Sequence, residues 1–183
     1  MLRRIAASVG MLALITGAAA AQARPAANLV THSEIAIDRP AAKIWPHILD
    51  PNHWKQGAKA WHYAGPAGQV GEVFAAGDPG AKAKPEFLFE NVELVPNQHR
   101  TIKIYATGGA LIGYASWWLK EQGGRTVVGY DVYSETPIDP AQARASTPGK
   151  IRESERTVAA TNKARFDQEL AALKRLVETA NPR

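Results

Sequence analysis

The stretch Ile35-Ala36-Ile37-Asp38-Arg39-Pro40-Ala41-Ala42-Lys43-Ile44-Trp45, continued by Ile48-Leu49-Asp50-Pro51-Asn52-His53-Trp54, decides how the chain is read. Ile35 and Ile37 alternate as the end of a strand does, and Leu29 to Ile37 is expected to be that strand. Asp38 offers a side-chain oxygen to cap a helix, and Pro40 suits a first helical turn because its missing N–H has no partner there anyway. A helix over Pro40 to Leu49 would bury Ile44, Trp45 and Ile48, with Pro46 tending to kink or shorten it. Pro51 to Gln56 is expected as a second short helical turn.

Downstream the pattern changes to strands separated by turn chemistry. The expected strands are Ala58 to Ala64, Val70 to Ala76, Glu86 to Val95, His99 to Ala106, Leu111 to Glu121 and Arg125 to Ser134. Gly65-Pro-Ala-Gly68, Gly77-Asp-Pro-Gly80, Pro96-Asn97, Gly108-Gly109 and Gly123-Gly124 part them, and paired glycines supply the positive φ angles of hairpin turns. Six consecutive strands imply an antiparallel meander. The last element is a helix from about Pro148 to Val177, capped by Thr147 with Pro148 at its first position. At 100° per residue one stripe gathers Val158, Ala159, Phe166, Leu170, Leu173, Leu176 and Val177. A helix of about 30 residues is a rod of roughly 45 Å, long enough to cross a sheet of strands about 33 Å long.

One strand, two short helices, six strands and a long terminal helix resembles the helix-grip superfamily. That group holds START lipid-transfer domains, the birch-pollen-allergen group and the bacterial polyketide cyclase/dehydrase-like proteins called SRPBCC. The residues carrying the resemblance are Ile35 to Trp45, Ile48 to Trp54 and the closing Phe166-Asp-Gln-Glu-Leu-Ala-Ala-Leu-Lys-Arg-Leu176. The resemblance implies an α+β fold, with a seven-stranded curved antiparallel sheet around the C-terminal helix and two short helices after the first strand. It also implies a cavity between sheet and helix. A concave sheet cannot be filled along the whole length of one helix, which leaves room for a guest.

The N-terminus reads as an export signal. Arg3 and Arg4 precede the apolar run Val9 to Ala20, and Ala21-Gln22-Ala23 forms a small-x-small cleavage site. The run is Ala- and Gly-rich and shorter than the ~20 residues that span a bilayer. Cleavage would free Arg24 to Arg183 into the periplasm or medium, with no stable membrane anchor. Residues 24–28 are expected to be a disordered linker and 29–180 one domain. Both methionines lie in the leader and the chain has no cysteine, so the remainder holds no sulfur for disulfides or thiolate chemistry. Loss of Arg3 and Arg4 lowers the formal charge from +5 to +3, and basic and acidic residues interleave, as in Lys150 to Arg156. That is a solvated surface and argues against a nucleic-acid partner. A monomer is expected.

Candidate cavity residues are Trp54, Tyr114, Trp118 and Tyr130 from the aromatic supply, and Glu155, Val158, Asn162 and Phe166 from the terminal helix. The expected inner rows are Tyr114 with Trp118, and Val128 with Tyr130 and Val132; Trp117 and Trp118 must face opposite ways. His32, His47, His53, His62 and His99 lack metal-ligand spacing, so neither metal nor cofactor is expected. His53 and His62 lie where a pocket mouth could use an acid or base. Glu90 and Glu93, three apart on a strand, should face opposite sides. No Gly-x-Ser-x-Gly elbow, phosphate loop or dinucleotide fingerprint occurs, so no catalytic residue is assigned and the balance leans away from an enzyme. Three functions remain in view. A carrier or sensor of a hydrophobic small molecule or lipid comes first. A cyclase, dehydratase or hydrolase in the same cavity, using Glu155, His53, Tyr114 or Tyr130, comes second. A non-catalytic envelope interaction domain comes third.

Overall fold

The computed structural model describes residues 26–50, 52, 59–77, 85–137 and 147–180. Strand β1 (Ala26–Ile37) leads into helix α1 (Ala41–Leu49). Six strands follow: β2 (Lys59–Ala64), β3 (Val73–Gly77), β4 (Phe87–Val95), β5 (His99–Ala106), β6 (Leu111–Gln122) and β7 (Arg125–Pro137). Helix α2 (Pro148–Thr179) ends the order. Of the second short helix expected at residues 51–56 only Asn52 is described; the rest, with the candidate residues His53 and Trp54, lies outside the described residues.

All strands form one antiparallel sheet in the order β1-β7-β6-β5-β4-β3-β2. Strands β2 to β7 are the expected meander, and β1 returns to pair with β7 from Ala26 opposite Pro137 to Ile37 opposite Thr126. Helix α2 lies against β1 on the inner face, with Phe166, Leu170, Leu173 and Val177 buried among Ile37, Ile44, Ile48, Trp117, Val128 and Tyr130. Thr147 caps α2 as expected, its hydroxyl accepting from the Lys150 N–H at 3.4 Å with Pro148 next in line.

The start of α1 is capped differently from the expectation. Pro40 occupies the cap position and Asp38 makes no cap bond. Its carboxylate instead pairs with Arg125 Nε at 3.0 Å, and its own N–H donates to Glu178 Oε1. The free amide of Ala41 donates to Glu121 Oε2 at 2.7 Å, so the end of β6 supplies the missing acceptor from across the sheet. The turn at Gly65 depends on glycine. Its φ is +81°, and a Cβ there would sit 2.1 Å from the carbonyl oxygen of Gly71.

Strand register fixes the two faces. In β6, Ala115, Trp117 and Leu119 are buried inward, and their partners Val132, Tyr130 and Val128 do the same from β7. Tyr114 and Trp118 therefore belong to the outer face, which reverses the expected phase of β6 while the β7 row stands as expected. A bulge between Asn91 and Glu93 adds one residue to β4. Glu90 and Glu93 consequently share the outer face, contrary to simple alternation. They serve separate partners: Glu90 accepts from the Tyr105 hydroxyl at 2.8 Å, and Glu93 lies 3.1 Å from His99 Nδ1.

Candidate functional site

The last turn of α1 and the edge hairpin β2–β3 border an open, shallow pocket of about 340 Å³. Leu49, Trp61 and Phe74 supply apolar wall, while Asp50, Asn52, His62 and Glu72 supply polar atoms. Asn52 fastens the two sides together. Its Nδ2 donates to the Ala60 carbonyl at 2.8 Å and to Asp50 Oδ1 at 3.1 Å, and its Oδ1 accepts from the Ala60 N–H at 2.8 Å. Both ends of this amide are thus spent on structure.

A chain of buried polar groups runs from the pocket wall into the sheet. His62 Nδ1 lies 3.0 Å from Glu72 Oε1. Glu72 Oε2 accepts from the Gly68 N–H at 2.7 Å and from Asn91 Nδ2 at 3.4 Å. Asn91 Oδ1 accepts from Arg100 Nε at 2.9 Å. Arg100 Nη1 then donates to the carbonyls of Ile48 and Leu49 at the C-terminal end of α1. Glu72, Asn91 and Arg100 are all buried, whereas the His62 side chain is 49% exposed. The Arg100 guanidinium also sits 5.5 Å from the ring centres of both Phe74 and Trp117. Burial draws its pKa down to about 10, against the opposing pull of Glu72. A cation held in the interior despite that cost needs the anion, and Glu72 supplies it through Asn91.

The candidate residues from sequence fall into three groups. Tyr130 and Phe166 face inward as core rather than as open wall. Their rings meet edge to face at 4.9 Å, and Tyr130 stacks on Trp117 at 4.7 Å. The Tyr130 phenol is pushed far up, first by burial and then by the charge of Glu169. Glu155 and Asn162 are half-buried along the first half of α2, and Val158 is 38% exposed. Tyr114 and Trp118 are outside. Trp118 lies flat over Gly129, donates Nε1–H to Asp131 Oδ2 at 2.9 Å, and stacks on His32 with centroids 6.3 Å apart. Lys120 Nζ stands 4.6 Å from the same ring.

Glu72, Asn91 and Arg100 were not among the candidates, although one of them left a trace. Arg100 shares the phase of Ile102 and Ile104 in β5, and a cation on an apolar face announces a buried partner. Glu72 and Asn91 left no comparable sign. Among the described residues no three His, Asp or Glu side chains converge as a metal site would require, and no helix is long and apolar enough to cross a membrane.

A family model described as polyketide cyclase / dehydrase and lipid transport matches residues 29–178. The chain belongs to this family. Solved structures of similar fold include SA2116 from Staphylococcus aureus, with a TM-score of 0.66 and 10% identity over 85% of this chain and 96% of that one. CalU16 from Micromonospora echinospora gives 0.52 and 13%, covering 86% and 87%. DynU16, from the dynemicin biosynthetic locus, gives 0.54 and 17%; 84% of this chain is covered but only 48% of DynU16, so the chain spans about half its length. At these identities the likeness speaks for the fold alone. No curated protein matches.

Proposed function

We propose that this family member is an exported binding domain for a compact amphipathic molecule. The guest's apolar body rests on Leu49, Trp61 and Phe74, and its polar end reaches His62. The observation that carries the reading is the 340 Å³ pocket with one polar corner backed by a buried hydrogen-bonded network. That volume is at the small end of the ~300–1,000 Å³ range of ligand pockets, which suits one or two rings better than a long-chain lipid. The family description supports a small-molecule or lipid ligand. The basic-apolar-small order of the N-terminus supports delivery to the periplasm as Arg24 to Arg183, without an anchor.

Turnover in the same pocket is the second reading, favoured by the histidine–carboxylate pair that a general base requires. The deciding experiment is gentle purification from periplasm, followed by native mass spectrometry and solvent extraction. A stoichiometric small amphipath on a protein beginning at Arg24 supports binding and export together. Full-length protein retained in the cytoplasm would refute export. A folded protein whose melting temperature responds to no small amphipath would refute binding.

A further inference from the structure

We infer that His62 and Glu72 form a hydrogen-bond-accepting anchor, so that the pocket selects guests whose polar end carries a hydroxyl or N–H donor. The inference rests on reading the pocket as a ligand site and names the chemistry of its guest.

Glu72 is fixed by two donors. Its Oε2 is held by the Gly68 N–H and the Asn91 amide, and its charge faces Arg100 through Asn91. A carboxylate fixed by donors in this way stays an acceptor. Its Oε1 faces His62 Nδ1 at 3.0 Å, so Nδ1 must carry the proton. A neutral imidazole has one N–H, which leaves Nε2 with a lone pair. The Glu72 side chain is 6% exposed and that of His62 49%, so the open part of the ring is the edge away from Glu72, the Nε2 edge on the pocket wall. No group among the described residues bonds to Nε2. Among the described residues Asn52 adds no free donor, because both its Nδ2 hydrogens go to Ala60 and Asp50. What remains on the ring is Nε2, an acceptor that welcomes a donor and offers an anion nothing to bond.

Three probes of one shape test this: 2-naphthol, its methyl ether and 2-naphthoate, titrated by calorimetry at a pH where NMR shows the imidazole neutral. One buried hydrogen bond contributes about 1–1.5 kcal/mol, so naphthol should bind roughly tenfold more tightly than the ether, with naphthoate weakest. His62→Phe should bring naphthol and ether to the same affinity. Ring ¹⁵N shifts of the free protein should place the neutral proton on Nδ1, independently of any variant. If naphthol and ether bind equally, or naphthoate binds best, or the proton sits on Nε2, the anchor is wrong and the pocket stands. If none of the three binds up to millimolar concentration, the pocket reading fails and the anchor falls with it.

Discussion

Arg100→Met isolates what the buried network contributes. Methionine keeps an apolar stem between Phe74 and Trp117 but removes every donor. Asn91 Oδ1 and the carbonyls of Ile48 and Leu49 then lose their partner, and Glu72 is left as a buried anion without its counter-charge. Each stranded acceptor costs about 1–3 kcal/mol, and removing one member of a buried charge pair costs about 3–5 kcal/mol. These terms overlap, because the end of α1 can relax toward water once released. A net loss of about 3–5 kcal/mol is the expectation. At about 2–4 °C per kcal/mol for a domain of this size, the melting temperature should fall by about 6–20 °C. Urea unfolding followed by tryptophan emission measures it. The double variant Arg100→Met/Glu72→Gln supplies the control: with the anion neutralised, the two costs should fall short of additive by at least about 1 kcal/mol. A loss under about 1 kcal/mol for Arg100→Met, or strict additivity in the cycle, would refute the claim that Glu72 and Arg100 sustain one another.

Three further expectations follow from the two faces of the sheet. His32 is bonded to Asp131 at 2.7 Å, and that bond first of all raises its pKa above the ordinary 6.5. The stabilisation it gives is complete below pH 6.5 and disappears as pH rises through the raised value, so the stability gap between wild type and Asp131→Asn should close in that direction. An NMR titration of His32 should show the midpoint dropping in the variant; an unmoved midpoint contradicts the assignment. Along α2, Leu173→Ala should cost about 2–5 kcal/mol, whereas Val158→Ala should stay within about 0.5 kcal/mol, as chemical denaturation can show. Equal losses would mean that the first half of the helix is packed as tightly as the second. Gly129→Ala places a Cβ 1.9 Å from Trp118 Cε2. It should lift the indole off the sheet, cost about 1–3 kcal/mol and shift tryptophan emission to the red; unchanged emission would sink this account.

Strand order was legible because it is written locally, in turns such as those at Gly109 and Gly123-Gly124, whose backbone needs few other residues satisfy. The helix boundary at Thr147-Pro148 was legible for the same reason. The phase of β6 was not, because Trp117 and Trp118 are equally aromatic and alternation says only that they part. Their neighbours held the answer: Ala115 and Leu119 share the phase of Trp117, while Ser116 and Lys120 share that of Trp118. Glu90 and Glu93 were misplaced by a bulge that no residue in the strand announces. The pocket was harder still. His62 and Glu72 are ten residues apart across a hairpin, and Arg100 meets carbonyls some fifty positions earlier in the chain. Such pairings depend on which surfaces the fold presses together, and local pattern does not encode that.

The physical link between core and pocket explains why a polar network survives inside a protein of this size. Phe166 on α2 meets Tyr130, Tyr130 stacks on Trp117, and Trp117 flanks the Arg100 guanidinium. The aromatic stack excludes water from Arg100, which strengthens its bonds to Asn91 and to the end of α1 and makes their loss costly. Those bonds in turn hold Asn91 where it can orient Glu72, and Glu72 orients His62. An apolar replacement of the whole network could pack as well and be more stable. It would also leave the His62 ring free to rotate, with neither nitrogen committed as donor or acceptor. On the proposed binding role, selectivity depends on fixing that choice before the guest arrives, and a buried carboxylate tied down from two sides is a means of fixing it.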